Sequence, residues 1–523
     1  MPKEEGLASF VEEFIGLLEA GRVSDKKMML AEKRRVCERL GIDRIPKNGE
    51  ISAMMTIAER KKFSAIMRSK PVRIMSGVTV AALMTKPYDC PHGVCIFCPG
   101  GTKTNTPQSY TGFEPAARRA ALNAYDPYTQ INSRLNQYIF MGYSPQKVEA
   151  IIIGGTFTTL PKDYRRRFIT LLYKAINDFP NSLSGESELE YEKIRNEKAA
   201  TRLVALAIET KPERCGEQDI RQLLDYGVTR VEMGVQSVFD DVLRRNNRGH
   251  TITDVKDTTA RLKDSAYKVD YHIMLNLPSS DIDKDRETIS RVYTDESFKP
   301  DAIKIYPTLV IKGTGLYKLW IDGKHKTYSL EDVIDLVAWA EINAPAWIRI
   351  MRVERDIPSN LIEGGIKVTN LRQLVHEKIR SLGKKPRDIR GREVGHVFMS
   401  KDVREELKRE TYRAAHGDEV FLSIEDAAND ALIGFLRLRI PDGGREALVR
   451  ELHVYGEQKN LSSVDATSFQ HKGVGAYLLR EAERIARQEY SLRRVKIISG
   501  VGVREYYRKN GYSLEGAYMC KAV

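Results

Sequence analysis

Between about Val78 and Pro345 the sequence alternates short β-rich runs with amphipathic stretches, and no other feature limits the fold as strongly. The runs Val78–Met84, Val148–Ile153, Leu203–Ile208, Arg230–Met233, Val269–Leu277 and Ala302–Tyr306 are strand-like, while Pro161–Asn177 and Glu217–Tyr226 carry helical patterning. Repeated strand–helix units predict an α/β fold with a parallel sheet, as a barrel or a doubly wound sheet. In barrels the chemistry sits at the carboxyl ends of the strands. A chain of 523 residues exceeds one hydrophobic core. The composition shifts divide it into a helical amino-terminal region (1–75), the strand–helix region (76–345), a polar linker (346–400) and a compact α/β unit (401–523).

The helical region is basic. Phe10, Val11, Phe14, Ile15 and Leu18 recur at helical spacing, and Lys26, Lys27, Lys33, Arg34, Arg35, Lys61, Lys62, Arg68 and Lys70 lie on or after these helices. Lys and Arg outnumber Asp and Glu by 84 to 71, a net charge of +13. Such a balance fits either an ordinary solvated surface or a phosphate-rich partner, with Lys26, Lys27, Arg34, Arg35, Lys61, Lys62, Arg68 and Lys70 as the stripe along a nucleic-acid backbone. No run approaches the length of a membrane span, and Met1-Pro-Lys-Glu-Glu lacks a signal-peptide pattern, so no membrane contact and a cytoplasmic location are expected.

Only six cysteines occur, and three of them, Cys90, Cys95 and Cys98, fall within nine residues directly after a strand candidate. This pattern suits a cytosolic metal site rather than a disulfide scaffold. Three thiolates can hold three irons of a [4Fe–4S] cluster and leave the fourth iron open, whereas a zinc site completed by His92 is the alternative on spacing alone. Cys90-x4-Cys95-x2-Cys98 is close to the C-x3-C-x2-C pattern of radical-SAM enzymes. Gly154-Gly155-Thr156, at the end of the next strand candidate, favours that reading. Glycines there let main-chain carbonyls approach the ammonium group of S-adenosylmethionine. Glu209 and Gln236 end the following strands and suit the same ligand or a structural role.

The last unit carries Gln470-His-Lys472-Gly473-Val474-Gly475, followed by a helix over Ala476–Glu489. It resembles the pyrophosphate loop of GNAT acetyltransferases, where N–H groups at a helix amino terminus receive phosphate. Glu451, Leu452, His453 and Val454, on the preceding strand, would line an acetyl-CoA groove. Tyr506 and Tyr507 sit on the last helix near the expected thioester, with Tyr507 the expected ligand-facing member of the pair.

Over nearly its whole length the chain resembles the family of the Elongator catalytic subunit and its stand-alone archaeal and bacterial relatives. The resemblance rests on Thr85-Lys-Pro-Tyr-Asp-Cys-Pro-His92, Ser109-Tyr-Thr-Gly-Phe-Glu-Pro115, Gly154-Gly-Thr-Phe157, Gly234-Val-Gln-Ser237 and Lys304-Ile-Tyr-Pro-Thr308. Arg355-Asp-Ile-Pro358, Arg392-Glu-Val-Gly395, Glu451-Leu-His-Val-Tyr-Gly456 and Tyr506-Tyr-Arg-Lys509 extend it. It implies a partial TIM-type radical-SAM barrel, a basic helical amino-terminal region and a carboxy-terminal GNAT domain. The implied activity is formation of 5-carboxymethyluridine at the wobble position of tRNA from acetyl-CoA and S-adenosylmethionine. The implied partners are the tRNA anticodon region and acetyl-CoA, with oligomeric state and accessory subunits left open. Lys147 corresponds to a family lysine that touches acetyl-CoA; as a residue it is equally a solvated lysine. Glu451 with Tyr506 and Tyr507 would be the catalytic groups of the acetyl-CoA domain. Where some relatives place linker cysteines, this chain has Pro386, Asp388 and Gly391, so no structural zinc is expected there and Arg387, Arg390 and Arg392 are free for phosphate. The competing readings are a protein lysine acetyltransferase with a structural cluster and Glu451 as general base, and a non-catalytic tRNA-binding scaffold.

Overall fold

The computed structural model describes residues 3–56, 59, 62–67, 77–394, 404–455 and 473–523. Sixteen strands run through them: β1 (Val78–Met84), β2 (Lys147–Ile153), β3 (Arg202–Thr210), β4 (Arg230–Gln236), β5 (Lys268–Leu275), β6 (Ala302–Pro307), β7 (Val310–Ile311), β8 (Arg349–Arg352) and β9 (Ile362–Gly364) in the first part. In the second are β10 (Glu405–Arg413), β11 (Gly417–Asp426), β12 (Ala431–Pro441), β13 (Ala447–Val454), β14 (Arg494–Ile498), β15 (Ser513–Glu515) and β16 (Tyr518–Ala522).

All six strand candidates of the first part form β1 to β6, joined in parallel in chain order, with β8 added beyond β6. Interior runs such as Ala81, Leu83, Val148, Ala150, Ile152, Leu206 and Ile208 are fully buried, as expected of a parallel sheet covered by helices. β8 comes from the segment expected to be linker. Its four residues, Arg-Ile-Met-Arg, are too short and too charged to signal a strand. The sheet therefore keeps two edges, β1 and β8, and does not close. Side chains satisfy both. Gln130 accepts from the Met84 N–H (2.9 Å) and donates to the Met84 carbonyl (3.0 Å), and Arg119 and Tyr138 donate to Ala82 and Val80 carbonyls (2.9 and 2.8 Å). On β8, Asp388 accepts from the Ile350 N–H (2.8 Å) and Arg372 donates to its carbonyl (3.0 Å).

The second sheet has the order β10-β11-β12-β13-β14-β16-β15, antiparallel except for the pair β13–β14. That parallel pair registers only over Ala447–Val449 with Val495–Ile497. Beyond it, next to an irregularity at Arg437/Leu438 opposite β13, the two strands separate. The helix Val474–Gln488 packs its apolar face, Leu478, Leu479, Ala482 and Ile485, on this sheet.

One apolar cluster continues from the parallel sheet into the second, joining Val231, Val269 and Ile303 to Phe421, Phe435, Leu448 and Ile498. Beside it lies a dry ionic network at the amino ends of β5 and β6. Asp301 receives a two-pronged grip from Arg450 (2.6 and 2.6 Å), which also holds Glu419 (2.7 Å). Arg439 and Lys263 complete Glu419 (3.1 and 3.4 Å), and Arg437 with Lys268 clamps Glu451 (2.9 and 2.8 Å). Arg437, Arg439, Arg450, Lys263, Asp301 and Glu419 are all at most 2% exposed. Close approach seals the rest: a Cβ on Gly500 would stand 2.0 Å from the Val204 carbonyl oxygen at the start of β3.

At the amino terminus, the helices Lys3–Glu19, Lys26–Leu40 and Asn48–Met54 share a core of Phe10, Phe14, Val36 and Ile51. The last of them lies on the helix Pro127–Phe140, where a Cβ at Gly49 would meet the Phe140 carbonyl at 3.0 Å.

Breaking the network from one side leaves buried charge unpaired, at about 3–5 kcal/mol. Arg450→Met is therefore expected to lower the unfolding free energy by about that amount, read from urea denaturation.

Candidate functional site

The carboxyl ends of β1 to β4 gather the first group of expected residues. After β1 the chain loops through Cys90, Cys95 and Cys98, all unpaired thiols. The Cys98 sulfur accepts from the Ser109 N–H (3.1 Å), and the Cys95 sulfur from Arg248 Nη1 (3.1 Å), with His92 Nε2 at 3.2 Å. Burial and the two neighbouring sulfurs push the Cys90 thiol up to about 11, while Lys211 and the Thr156 hydroxyl act in the other direction. Burial, reinforced by Lys211 and Arg248, drops His92 to about 4, so its ring is neutral. Burial also raises the Cys98 thiol, and the Arg248 guanidinium and the Ser109 N–H stand ready to match negative charge on the Cys95 and Cys98 sulfurs. Among the described residues the sulfurs and His92 do not converge on one point within 4.8 Å, the spacing a single ion would need. The donor set fits a polynuclear cluster.

Gly154 and Gly155, directly after β2, have φ of +124° and +102°. A Cβ at 154 would fall 2.8 Å from the Thr85 hydroxyl at the end of β1, and one at 155 would press on Gln108. These positions need glycine for both conformation and space. The Gly154 N–H reaches Glu209 at the end of β3 (3.3 Å), and Tyr110 also donates to that carboxylate (3.2 Å). At the end of β4, Gln236 sits at φ +73°, 8% exposed, and its Oε1 has no partner among the described residues. A buried amide oxygen left open in this way fits an absent polar ligand.

Beneath these groups the barrel interior is charged, which the sequence reading did not anticipate. Glu232 on β4 accepts from Arg230 (3.0 Å) and from Lys304 of β6, and His272 of β5 is at 3.1 Å. Burial alone would raise the Glu232 pKa, but Lys304 and Arg230 overcome it and hold the carboxyl well below its usual range. Burial and Lys304 lower His272. Glu209, Glu232 and His272 bring one ligand atom each within 4.8 Å, but the carboxylate of Glu232 is already matched by the two cations. Above them, Arg355 lies over the rings of Tyr110 and Tyr306 (5.9 Å each) and donates to the Ser109 carbonyl. The available signal was a charged or imidazole residue in the middle of a strand otherwise expected to be apolar.

Lys147 opens β2, at the opposite end of the strand from Gly154. It is half-buried, and burial with the nearby Arg202 lowers its pKa.

In the second sheet, Glu451–Val454 lie on β13 beyond its pairing with β14, so among the described residues one side of this stretch has no strand neighbour. Facing it, the helix Val474–Gln488 begins after Gly473 (φ +80°) with no side-chain cap. N–H groups at a helix start of this kind can receive an anion. Val454 and the Tyr506 hydroxyl both close on Gly475, a Cβ there standing 3.6 and 2.5 Å from them, with Ala476 in the same turn. Gln470 and Lys472 lie outside the described residues.

Two expectations change in this domain. Tyr507, expected to face the ligand, is buried in the core with Tyr512 (6.2 Å between rings), whereas Tyr506 is 38% exposed and turns to the loop. Neighbouring helical residues point about 100° apart, and the apolar core took the second tyrosine. Glu451, expected as a general base, is clamped by Lys268 and Arg437. Burial would raise its pKa, but those cations hold it at about 2. A carboxylate so stabilised is a poor proton acceptor. His453 is likewise lowered by burial and stacks on Phe435 (6.0 Å).

Of the basic stripe, Lys27, Arg34, Arg35 and Lys62 are exposed; Arg35 pairs with Glu32 (2.6 Å) and Lys62 with Glu19 (3.5 Å). Lys33 turns inward to the Pro46 carbonyl (3.0 Å), and burial lowers it to about 8. Lys61, Arg68 and Lys70 lie outside the described residues, as does the side chain of Lys26. In the linker, Asp388 caps the helix Ile389–Arg392, and Arg392, expected free for phosphate, is buried against Glu425 (2.7 Å) and the Ala346 carbonyl (2.7 Å).

Family models match in three stretches: the radical SAM superfamily over residues 85–291, a radical SAM C-terminal domain over 300–381, and the acetyltransferase (GNAT) family over 387–512. The chain is 43% identical to a tRNA uridine(34) acetyltransferase of Methanocaldococcus jannaschii, over 99% of this chain and 98% of that one. It is 42% identical to human Elongator complex protein 3, over 94% and 92% of the two chains. The solved structure of archaeal Methanocaldococcus infernus Elp3 with an N-terminal deletion is 40% identical and superimposes with a TM-score of 0.75, covering 86% of this chain and 99% of that one.

Two measurements check the placements in the second sheet. Tyr507→Ala is expected to cost about 3–5 kcal/mol in urea denaturation, while Tyr506→Phe leaves the midpoint unchanged. The Glu451 pKa is depressed on folding from an ordinary 4.5 to about 2, so its ion pairs stabilise fully above 4.5 and are lost as pH falls toward 2. Glu451→Gln should accordingly flatten the decline of stability over that interval.

Proposed function

The chain belongs to the family of Elongator complex protein 3 and the tRNA uridine(34) acetyltransferases, and on that footing we propose that it modifies the wobble uridine of tRNA, forming 5-carboxymethyluridine with acetyl-CoA as carbon source. One observation carries the reading. Among the described residues, the carboxyl ends of four adjacent strands present three thiols, a Gly-Gly turn, a carboxylate and an unpartnered buried amide oxygen, and the part of β13 beyond its pairing with β14 lies beside the start of the helix Val474–Gln488.

Cys90, Cys95 and Cys98 would hold a [4Fe–4S] cluster, and Gly154, Gly155, Thr156, Glu209 and Gln236 would seat S-adenosylmethionine. Together these groups supply single-electron chemistry, which opens a methyl C–H bond that acid–base groups cannot. The chain's own residues do the rest. Arg248 offers its guanidinium to the Cys95 sulfur, and Ser109 its N–H to Cys98, so negative charge on these sulfurs is matched. Glu209 is poised by Tyr110 and the Gly154 N–H to accept from sugar hydroxyls. In the barrel interior, Lys304, Arg230 and His272 converge on Glu232 and hold its charge away from bulk water.

For acetyl-CoA, Leu452, His453 and Val454 offer a strand edge to the pantetheine amides, and Gly473–Ala476 offer N–H groups to the pyrophosphate. Gln470 and Lys472 belong to the same loop in sequence. Tyr506, not Tyr507, is the tyrosine placed at this loop. Lys147 stands at the amino end of the barrel, on the side where the second sheet docks. Lys27, Arg34, Arg35 and Lys62 give tRNA an exposed basic surface, joined in sequence by Lys26, Lys61, Arg68 and Lys70. The alternative, lysine acetylation with Glu451 as base, loses its base to the ion pairs with Lys268 and Arg437.

The test is mass spectrometry of nucleosides from tRNA incubated anaerobically with the reconstituted protein. Carboxymethylated uridine is expected only with S-adenosylmethionine, acetyl-CoA and a reductant all present. Cys95→Ala should lose the product together with its iron and sulfide. Product retained in that variant overturns the reading.

A further inference from the structure

Tyr506 reaches the acetyl-CoA loop from a helix of only six residues, Arg504–Lys509. So short a helix has little stability of its own and takes its position from whatever holds it. What holds it belongs to the other domain. Glu197, in the last turn of the helix Leu189–Lys198 beside the barrel, accepts from Arg504 Nη1 on one oxygen (3.1 Å) and from Arg508 Nη1 on the other (2.7 Å). Glu197 and Arg504 are 8% and 4% exposed, so solvent ions screen the contact little. Arg508 also meets Glu505, but that pair lies within the helix and cannot orient it against the barrel.

The geometry of a helix separates the held side from the working side. Positions 504 and 508 lie one turn apart on the same face, and position 506 is about 200° round from 504. Glu197 therefore grips the face opposite Tyr506, whose hydroxyl closes on the Gly475 position at the start of the helix Val474–Gln488.

The turn that leads into the short helix rests on the same part of the barrel. A Cβ at Gly502 would stand 2.5 Å from the Arg202 Cβ and 2.8 Å from the Leu203 carbonyl oxygen, at the start of β3. Arg202 is the register partner of Lys147 on β2, and its charge is the one that joins burial in lowering Lys147. Tyr506 and Lys147 are thus tied to one rigid strand end, although they come from different domains. On β13 the barrel intervenes again, where Lys268 donates to Glu451 (2.8 Å). Barrel side chains hold both the strand and the tyrosine of the proposed groove.

Resting on the acetyl-CoA reading above, we infer that Glu197 is a positioning residue for acetyl-CoA. Through Arg504 and Arg508 it sets the Tyr506 hydroxyl against the start of the helix Val474–Gln488, so the groove takes its working width from the barrel. The second sheet by itself carries the loop but not the hold on the tyrosine.

The experiment uses the full-length protein and titration calorimetry with S-acetonyl-CoA, a ketone analogue of acetyl-CoA that water cannot cleave. Tyr506→Phe and Glu197→Gln are each expected to raise its dissociation constant about 3- to 10-fold, the worth of one hydrogen bond. The double variant should bind no more weakly than Tyr506→Phe alone, because the two residues act as one unit. Independent structural damage would instead multiply the two losses. In the reconstituted enzyme, Glu197→Gln should raise KM for acetyl-CoA and leave KM for S-adenosylmethionine unchanged. Where Glu197→Gln does not fold, Arg508→Ala reads the same cycle: its side chain is 34% exposed and the Arg504 pair survives, so a loss of about 2- to 5-fold is expected. Binding unchanged in the folded Glu197 or Arg508 variant, or in Tyr506→Phe, overturns the inference, as do losses that multiply in the double variant. Wild-type protein that does not bind the analogue overturns the acetyl-CoA reading beneath it as well.

Discussion

Arg450 is the most deeply bonded of the ties between the second sheet and the parallel sheet. Its guanidinium is entirely buried, grips Asp301 at the foot of β6 with two nitrogens, and reaches Glu419 on β11. Planar two-pronged pairs fix angle as well as distance. Because Asp301 also accepts from the Val269 N–H (2.8 Å), the grip is anchored in two strands of the parallel sheet. Buried pairs of this kind contribute little net stability over an apolar replacement, and their use is in specifying one arrangement. Here that arrangement holds β13 against the amino end of the barrel, so the acetyl-CoA groove proposed along β13 opens beneath the strands whose far ends carry the cysteines.

Much of this was legible in the sequence. Runs such as Val148–Ile153 and Ala302–Tyr306 revealed the parallel strands, because strands buried on both faces are nearly continuous in apolar residues, here interrupted only by Glu149 and Lys304. Cys90, Cys95, Cys98 and the Gly154-Gly155 turn announced themselves through spacing and through a conformation that only glycine adopts easily. β8 did not, since two of its four residues are arginines whose partners, among them Glu393 for Arg349 and Asp356 for Arg352, are distant or local in ways no periodicity encodes.

The residues that sequence reasoning misplaced share one cause. Tyr506 and Tyr507 are chemically identical, and only the packing of Tyr507 against Tyr512 decides which of them meets the loop. Glu451 looked like a base because carboxylates often are. Its character was set by Lys268 and Arg437, one of them 183 residues away in sequence. Lys33 and Arg392 likewise read as surface cations until their buried acceptors are known. Charge is written locally in a sequence, but its partner is a property of the fold.

The capped edges of the parallel sheet carry a last consequence. An exposed strand edge invites another chain to pair with it, and most half-open sheets would be prone to polymerise. Gln130 presents to Met84 the same donor and acceptor that a neighbouring peptide would, and Asp388 with Arg372 does so for Ile350. Side chains thus terminate the ladder chemically without filling the space beside it. A barrel finished in this manner can stay unclosed in a crowded cell, its edges already answered before a copy of itself arrives.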